Sequence, residues 1–356
     1  MSNLLLLSNM YPDETHPSKG VFVRNAELQL TDAGLKVHRI VVTNTQTNRR
    51  LAKLWAYLIF TATAVIRLMR HSTPVYLHYV AHTGLPLILT QAFRSQRLIA
   101  HAHGGDVISA PHQSKVTRGL KRFLSSRVLG MANTVIVPSQ FLANRLVDDY
   151  GVPAAKIVII PSGGVDTDTF HYRERQTKES NEYLRVGYVG RLDKGKGVDT
   201  LIHAIHASKP PIKCTIVGTG SAHDSILELI THLKLTDQIS VLGSCEQDKL
   251  GDIYRNLDFL VFPSELEESL GLVGLEAMSC GTPVIGSRKG GMAEYIAPDV
   301  NGLAFAPGNA ESLASAMKEA FTMSSQAYAD MSSNAHQTSK AYDARHCAER
   351  LVQVFS

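Results

Sequence analysis

Residues 263–296 have the sequence PSELEESLGLVGLEAMSCGTPVIGSRKGGMAEYI. This segment is the most informative part of the chain about both its fold and its chemistry. Residues 269–274 are small and apolar, and the good helix formers Leu275, Ala277 and Met278 follow them. The Gly-Thr-Pro triplet at 281–283 ends the helix. The first backbone N–H groups of a helix have no partner within it, so this N-terminus suits an anion such as a phosphate. Glu268 precedes the helix, and Glu276 lies within its first turns.

Two glutamates flank the predicted anion site. Glu268 and Glu276 have seven residues between them, so one carboxylate lies in the loop before the helix and the other in the helix itself. Carboxylates at these positions accept hydrogen bonds from hydroxyl groups on either side of a bound phosphate. A nucleotide sugar has this layout of ribose, diphosphate and hexose. The alternative, a surface helix with two solvated acids, is equally compatible with the composition alone.

This segment resembles the signature of the family-4 retaining nucleotide-sugar glycosyltransferases, which share the GT-B fold. Their pattern is a glutamate, an aromatic residue or Leu, and Gly, followed by Glu-Ala-Met, a small residue and Gly-x-Pro-Val. The matching residues here are ESLG at 268–271 and EAMSCGTPV at 276–284. Leu270 replaces the commoner Phe, which concerns packing more than chemistry. The resemblance extends over nearly the whole chain.

The resemblance implies an α/β fold of the GT-B type, in which two Rossmann-like doubly wound domains face each other across a cleft. A length of 356 residues suits two domains of ordinary size. We expect an acceptor-side domain at 1–165, a nucleotide-sugar-binding domain at 184–338 and a helix at 341–356 that returns to the first domain. The polar residues 171–182 form the predicted linker between the two domains.

A cationic turn opens the second predicted domain. The predicted strand at 184–189 is followed by the sequence GRLDKGKG at 190–197 and then by a predicted helix. Two cations and a helix N-terminus that converge on one point suit a pyrophosphate, and the alternative is a solvated basic turn. The resemblance implies that Arg191 and Lys196 stabilise the negative charge of the leaving diphosphate, with Gly190 beside it.

The resemblance also implies roles for the remaining side chains of the site. Glu276 is expected to hold the ribose, and Glu268 to bond the hexose hydroxyls and favour an oxocarbenium-like transition state. His103, in the run HGGD at 103–106, is expected to face the donor hexose. The predicted catalytic residues are Arg191, Lys196, Glu268 and His103. The predicted donor-binding residues are Glu276, Gly271, Leu270, Leu272, Gly20, Gly190 and Cys245.

Charge is distributed unevenly along the chain. The net charge is +4, but residues 1–165 contain 18 Lys or Arg against 7 Asp or Glu, a balance of +11, and the remainder contains 18 against 25, a balance of −7. A basic half favours an anionic partner, either nucleic acid or a membrane surface. The four cysteines have no CxxC or Cys/His spacing, which is typical of reduced cysteines in a cytoplasmic protein. The apolar run at 4–7 is too short for a signal peptide.

Two basic predicted helices favour a membrane surface over nucleic acid. The apolar stretch at 54–66 is too short to span a bilayer, and it includes Trp55 and Tyr57, residue types that favour a membrane interface. In the second helix, at 115–127, cations alternate with apolar residues. We therefore predict that the protein is cytoplasmic and docks peripherally on the anionic inner face of the cell membrane. The alternative is that both helices simply cover the sheet of the first domain. The cations concerned are Arg49, Arg50, Lys53, Arg67, Arg70, Arg94, Lys115, Arg118, Lys121, Arg122 and Arg127.

Neither a metal ion nor a cofactor is predicted. Asp166 and Asp168 have the DxD spacing of a metal site, but they lie in the predicted hinge turn, where an Asx turn is typical. The expected co-substrate is a UDP- or GDP-linked sugar. The sequence leaves the hexose, the base, the acceptor and the oligomeric state open.

The predicted function is transfer of a hexose, with retention of configuration, from a nucleotide-diphosphate sugar to an acceptor. The expected acceptor is a lipid-linked saccharide in the synthesis of a cell-surface polysaccharide. Three alternatives remain. A nicotinamide dehydrogenase requires a GxGxxG motif, which neither half supplies. A GT-B epimerase or phosphorylase keeps the fold, and a non-catalytic membrane-associated sugar-binding subunit keeps it without needing all four charged site residues.

Overall fold

The computed structural model describes residues 3–13, 19–42, 50–93, 96–108, 114–174 and 182–355, with the backbone alone at Arg50 and Lys53. Arg49, Arg94 and most of the predicted linker lie outside the described residues. The described residues form two parallel six-stranded sheets with helices packed against them. This is the α/β architecture of doubly wound units that the sequence predicts.

The first sheet is built from short strands that are buried in its middle and partly exposed at its edges. They are β1 (Asn3–Ser8), β2 (Lys36–Val41), β3 (Val75–His78), β4 (Leu98–His101), β5 (Thr134–Val137) and β6 (Ile157–Ile159), in the spatial order β2-β1-β3-β4-β5-β6. The run Leu4–Leu7 is buried throughout, as is typical of a strand covered on both faces. The strand order reverses between β1 and β3, and ligands of such sheets bind beyond the carboxyl ends of the strands at that point.

Two of the helices that pack on this sheet begin at a serine that caps them, Ser114 and Ser139. The helices between its strands are α1 (Val21–Asp32), α2 (Arg50–Arg70), α3 (Leu85–Leu89), α4 (Lys115–Met131) and α5 (Gln140–Tyr150). The hydroxyl of Ser139 accepts a hydrogen bond from the N–H of Leu142 and so caps α5. Among the described helices, none combines the length and the apolar character that a membrane span requires.

The second sheet has the same architecture with a different strand order. Its strands are β7 (Leu184–Val189), β8 (Ile212–Val217), β9 (Ile239–Val241), β10 (Phe259–Phe262), β11 (Val284–Ser287) and β12 (Gly302–Phe305). Its helices are α6 (Val198–Ala207), α7 (His223–His232), α8 (Gln247–Arg255), α9 (Leu272–Ser279), α10 (Ala310–Thr322) and α11 (Ser325–Ser339). The order is β12-β11-β10-β7-β8-β9, so the reversal lies between β7 and β10.

The chain divides into two compact units. One is Met1–Gly163 together with Cys347–Ser356, and the other is Gly164–His346. The last helix, α12 (Ala344–Phe355), places Cys347 and Leu351 in the apolar cluster that contains Leu4 and Leu6 of β1. The end of the chain thus contributes to the core of the first unit.

In the second unit, the loop after β7 lies against the end of β10 at Gly197. This residue has a φ of +73°, and a Cβ atom there would overlap the carbonyl oxygen of Pro263. Only glycine combines this left-handed backbone with so close an approach. Gly243 of the same unit has a similar φ of +71° but no atom within 4 Å of the position of a Cβ.

We predict that Gly197→Ala destabilises the second unit more than Gly243→Ala does. Both variants place a Cβ in the left-handed region, which costs about 1–2 kcal/mol. Only Gly197→Ala adds the clash with Pro263, which costs about 1–3 kcal/mol more. Thermal unfolding of the two variants measures the difference, and equal losses would show that the close approach is not a constraint.

Candidate functional site

The candidate site of the second unit lies at the carboxyl ends of β7 and β10, where the strand order reverses. Loop 190–197 follows β7, and loop 263–271 follows β10. The backbone N–H of Glu265 donates to the carbonyl of Gly195 at 2.9 Å, which ties the two loops together. Residues that are far apart in sequence therefore meet at one edge of the sheet.

Lys196 and Glu268 form an ion pair between these loops. The Nζ atom of Lys196 lies 2.7 Å from Oε1 of Glu268, and each side chain is 17% exposed. The hydroxyl of Ser264 donates to the same oxygen at 2.6 Å. The pair compensates two partly buried charges, and the ammonium group, which has three donors, can also bind a further anion.

Arg191 belongs to the same loop but is held by a different carboxylate. Its guanidinium lies 2.7 Å from Oδ2 of Asp193, and its side chain is 74% exposed. Burial acts to raise the pKa of Asp193, but hydrogen bonds from Ser221 and the charge of Arg191 outweigh it and lower the pKa. Because an exposed ion pair is weak, Arg191 can exchange Asp193 for another anion at little cost.

Glu276 lies in α9, and a tyrosine of a neighbouring helix fixes its carboxyl group. Oε2 of Glu276 accepts a hydrogen bond from the hydroxyl of Tyr254 in α8 at 2.9 Å. Burial raises the pKa of Glu276 to about 7, although the hydrogen bond from Tyr254 acts to lower it. Near neutral pH the side chain is therefore divided between its acid and carboxylate forms. Tyr254 cannot be identified from the sequence, since nothing in the local pattern connects it with Glu276.

The start of α9 has the uncapped N–H groups that the sequence predicts. Gly271 precedes the helix with a φ of +85°, and within the continuous described segment 182–355 no side chain caps the helix. The hydroxyl of Tyr295 donates to the carbonyl of Gly271 at 2.9 Å, and the N–H of Gly291 donates to the carbonyl of Glu268 at 2.8 Å. These bonds hold the loop in place and leave the helix N-terminus available to an anion.

The other predicted donor-binding residues of this unit differ in accessibility. Leu270 is 2% exposed and packs in an apolar cluster, so its side chain is a core residue and only its backbone remains for a ligand. Leu272 and Cys245 are partly buried at the edge of the same cluster. A Cβ at Gly190 would lie 3.0 Å from the hydroxyl oxygen of Tyr188, so a side chain there would crowd the loop.

His103 and Gly20 belong to the first unit. Gly20 caps α1 with a φ of +69° and lies against the backbone of Met10. Nε2 of His103 lies 3.0 Å from Nδ1 of His78, and its Nδ1 lies 3.4 Å from the hydroxyl of Ser162. Both ring nitrogens of His103 thus have partners within the unit.

Three histidines form a buried stack at the carboxyl ends of β3 and β4. The rings of His101 and His103 lie 4.2 Å apart between centroids, and His78 lies beside them. Burial lowers the pKa of His101 to about 3, and burial together with the neighbouring rings lowers the pKa values of His78 and His103 well below the usual range. All three rings are therefore neutral at physiological pH. Of the three, only His103 stands out in the sequence, because the other two lie within apolar strands.

Neutral imidazoles are also metal ligands, and these three histidines have ring nitrogens within 4.8 Å of one another. A bound ion lies close to the plane of each imidazole ring that ligates it. The planes of His101 and His103 are stacked face to face at 22°, so their faces, not their nitrogens, are directed at each other. The arrangement is that of a hydrogen-bonded stack, and a metal would require at least one ring to turn.

The DxD sequence forms the predicted turn. Oδ1 of Asp166 accepts a hydrogen bond from the N–H of Asp168 at 3.1 Å, which is an Asx turn, and Oδ2 accepts from the hydroxyl of Thr169 at 2.8 Å. Asp168 forms an ion pair with Arg345 at 2.7 Å. Both carboxylates are thus used within the second unit.

Glycosyltransferase family models match both halves of the chain. The family model described as Glycosyltransferase Family 4 matches residues 20–169, and the model described as Glycosyl transferases group 1 matches residues 171–338. A D-inositol 3-phosphate glycosyltransferase from Mycobacteroides abscessus is 31% identical over 203 residues, which are 54% of this chain and 45% of that protein. The chain spans about half the length of the curated relatives it matches.

Solved structures share the fold over the whole chain. Sucrose-phosphate synthase from Thermosynechococcus elongatus has a TM-score of 0.84 at 21% identity and covers 100% of this chain and 98% of its own. HepE from Anabaena, solved in complex with UDP and glucose, has a TM-score of 0.75 at 21% identity. The match covers 100% of this chain and 99% of the HepE chain. At these identities the likeness concerns the fold alone.

Two glycosyltransferase family models thus match successive parts of the chain, one for each doubly wound half. The sequence signature that first suggested the family lies in the second of these parts, in the loop before α9 and in α9 itself. The chain belongs to the family-4 type of glycosyltransferases and has their GT-B fold.

Proposed function

We propose that the chain is a retaining glycosyltransferase that transfers a hexose from a nucleotide-diphosphate sugar to a lipid-linked saccharide during synthesis of a cell-surface polysaccharide. The observation that supports this most is the ion pair of Lys196 with Glu268 at the point where the strand order reverses. In the same unit lie the uncapped start of α9 and the partly buried Glu276. Structures of HepE with UDP and with UDP-glucose are consistent with a nucleotide sugar as donor.

The cations are placed to act on the leaving group. In the proposed transfer, the bond from the anomeric carbon to the diphosphate oxygen breaks, and the acceptor hydroxyl forms a bond to that carbon on the same face. The proton of the hydroxyl passes to the departing phosphate oxygen. Lys196, Arg191 and the N–H groups of α9 offset the negative charge that grows on the diphosphate. They supply the positive charge that a metal ion would otherwise bring, so we propose a metal-independent reaction.

The two glutamates then have separate tasks. Glu276 accepts hydrogen bonds from the ribose hydroxyls when it is ionised, while Tyr254 fixes one of its oxygens. Glu268, held by Lys196 and Ser264, accepts hydrogen bonds from hexose hydroxyls, and its charge favours an oxocarbenium-like transition state. His103, in the first unit, has a neutral ring that can donate or accept a hydrogen bond to a sugar hydroxyl, with the 3.4 Å contact to Ser162 as the bond that it would exchange.

Helix α2 has the surface expected of a membrane-docking element. Phe60, Ala64 and Leu68 on one side are 0–3% exposed and cover the sheet. Trp55 and Ile59 on another side are 65% and 64% exposed. The packing alternative accounts for the first set of residues but not for the second, because large exposed apolar patches mark interaction surfaces.

Helix α4 repeats this division. Val128 is buried, whereas Val116 and Phe123 are 82% and 59% exposed. Lys121 corrects the predicted set of membrane-facing cations, because it is 4% exposed and its Nζ donates to the carbonyl of Ile108 at 2.6 Å. A lysine that is paired inside the unit cannot bind lipid, so the electrostatic contribution of α4 comes from its other cations.

Two kinds of acceptor are compatible with the family. The exposed apolar faces favour an acceptor carried by a lipid. The similarity to a D-inositol 3-phosphate glycosyltransferase makes a soluble phosphorylated polyol the second candidate. If the protein binds vesicles but glycosylates only a soluble polyol, the soluble acceptor is the correct one.

We predict that Lys196→Ala lowers turnover about a hundredfold or more, because it removes a cation that opposes charge on the leaving group. Lys194→Ala is the matched control, since Lys194 is an exposed cation of the same turn and should matter little. Mass-spectrometric detection of hexose transfer measures both variants and also separates transfer from epimerisation or simple sugar binding. Wild-type turnover in Lys196→Ala would remove the assignment.

Glu276 should make donor binding depend on pH. Its pKa of about 7 in the folded chain lies above the ordinary value of 4.5, so the ionised form that accepts the ribose hydroxyls is populated only as pH rises through 7. We predict that affinity for UDP-glucose, whose diphosphate does not titrate in this range, rises from pH 6 to pH 8. Glu276→Gln should bind more weakly at pH 8 and show no such rise.

The same shift has a consequence for stability with a definite sign. A carboxyl with a raised pKa stabilises the folded chain below its unfolded pKa, and this contribution is lost as pH rises from about 4.5 to about 7. Without ligand, the stability of the wild type relative to Glu276→Gln should therefore fall over this range. A constant difference, together with pH-independent binding of UDP-glucose in isothermal titration, would contradict the assignment.

Membrane docking predicts co-sedimentation with vesicles that contain phosphatidylglycerol, weakened by salt. Trp55→Gln combined with Ile59→Gln should reduce binding about tenfold or more, because the apolar contact is lost without a change of charge. Leu227→Gln with Leu242→Gln, at exposed apolar positions of the second unit, should leave binding unchanged. Equal binding to purely zwitterionic vesicles would contradict the electrostatic contribution of the cations. No binding at low salt would limit both helices to packing.

A further inference from the structure

Five side chains of the first unit form one continuous hydrogen-bond chain. In order, its members are Tyr76, His101, Ser162, His103 and His78. The hydroxyl of Tyr76 lies 2.8 Å from Nδ1 of His101, and Nε2 of His101 lies 3.3 Å from the hydroxyl of Ser162. That hydroxyl lies 3.4 Å from Nδ1 of His103, and Nε2 of His103 lies 3.0 Å from Nδ1 of His78. The roles assigned so far use only the contact between Ser162 and His103.

His103 is held firmly within this hydrogen-bond chain. The planes of His103 and His78 differ by 11°, and their ring centroids lie 5.2 Å apart. Because Nε2 and Nδ1 are 3.0 Å apart, the two rings are joined edge to edge by a hydrogen bond that lies close to their common plane. The ring of Phe22 lies 4.5 Å from that of His103, and the backbone N–H of His103 donates to Oδ1 of Asp106 at 3.0 Å. The positions of both ring nitrogens are therefore fixed, and only the placement of the protons remains open.

Tyr76 determines the direction in which the hydrogen-bond chain donates. This residue is fully buried, and His101 is the only hydrogen-bond partner of its hydroxyl among the described residues. A buried hydroxyl proton without an acceptor costs free energy, so the hydroxyl donates and Nδ1 of His101 accepts. A neutral imidazole carries a single N–H group, so the proton of His101 is on Nε2 and is donated to Ser162.

Two arrangements then remain at His103. In the first, Ser162 donates to Nδ1 of His103, and Nε2 of His103 donates to His78. In the second, His78 donates to Nε2 of His103, and Nδ1 of His103 donates to Ser162, whose own proton then has no acceptor among the described residues. Nε2 of His78 has no described partner in either case, so the first arrangement leaves one group unpaired and the second leaves two. The first also gives all three rings the Nε2–H tautomer, the more stable form of a free neutral histidine.

We infer that Tyr76 is a positioning residue, which through this hydrogen-bond chain holds His103 in the tautomer whose Nδ1 accepts a hydrogen bond. A ligand group that replaces Ser162 at this nitrogen must then donate, as a hydroxyl does. A carboxylate or phosphate oxygen can only accept, so it would face the lone pair of Nδ1 and be rejected. The inference rests on the proposed function only in taking that ligand to be a sugar.

Nitrogen NMR of the full protein near neutral pH tests the tautomer. In long-range proton–nitrogen correlation spectra, protonated and unprotonated ring nitrogens have different shifts, and the spectrum of His103→Phe assigns the signals of His103 by their absence. Tyr76→Phe removes the hydroxyl that sets the direction. Tyr150→Phe is the matched control, because its hydroxyl donates to the carbonyl of Val107 at 2.7 Å, in the same unit but outside the hydrogen-bond chain.

We expect His103 to be protonated on Nε2 and unprotonated on Nδ1, both in the wild type and in Tyr150→Phe. In Tyr76→Phe the opposite direction leaves no more groups unpaired than the first, so the Nδ1 signal should shift toward the protonated range. A protonated Nδ1 in the wild type would overturn the inference. So would a folded Tyr76→Phe variant with the wild-type signals of His103.

Ser162→Ala tests the route from Tyr76 to His103. This variant interrupts the hydrogen-bond chain between His101 and His103, so adding Tyr76→Phe to it should shift the signals of His103 no further. A further shift in the double variant would show that Tyr76 acts on His103 by another route and would overturn the inference.

Fluorinated donors test the ligand side by calorimetry. The probes are UDP-glucose and analogues in which one hexose hydroxyl at a time is replaced by hydrogen or by fluorine, which accepts weakly and cannot donate. At the hydroxyl that faces His103, hydrogen and fluorine should each weaken binding about fivefold, the loss of one hydrogen bond, and His103→Phe should remove this difference. Recovery of the affinity by fluorine at that position would show that Nδ1 donates and would overturn the inference.

The outcome is separable from that of the proposed function. If the protein neither binds UDP-glucose nor transfers a hexose, the proposed function is refuted, and the spectra still show whether Tyr76 sets the tautomer of His103. Lys196→Ala should lose hexose transfer and keep the wild-type signals of His103, because Lys196 belongs to the other unit.

Discussion

The pairing of β7 with β10 is the constraint on which the candidate site depends. The two strands are neighbours in the sheet, although 69 residues lie between the end of β7 at Val189 and the start of β10 at Phe259. Because both run in the same direction, their following loops emerge at one edge, and Lys196 meets Glu268 there. Gly197 allows the loops to approach closely enough for the ion pair to form at 2.7 Å.

Features that depend on local backbone could be predicted from the sequence. The glycines before α6 and α9, the helix formers after Gly271 and the Ser139 cap each determine one turn or helix start, so their positions follow from neighbouring residues. The same is true of the turn at Asp166. The α/β class and the two doubly wound sheets were implied by the resemblance to the family, and the alternation of apolar strands with helices agrees with them.

Features that depend on tertiary neighbours could not be predicted. Tyr254 reaches Glu276 from another helix, and His78 meets His103 because β3 and β4 are adjacent in the sheet. Lys121 has the sequence environment of a surface cation, yet its ammonium group is turned into the unit, where it donates a hydrogen bond to the carbonyl of Ile108. In each case the deciding partner is distant in sequence or lacks any distinguishing side chain.

The central claim is that a nucleotide diphosphate sugar binds at the edge of the second sheet. A crystal structure of the chain with UDP tests this most directly. We expect phosphate oxygens within hydrogen-bond distance of Lys196 Nζ and of the first N–H groups of α9, and ribose hydroxyls hydrogen-bonded to Glu276. A nucleotide bound elsewhere, with the ion pair of Lys196 and Glu268 free of phosphate, would contradict it.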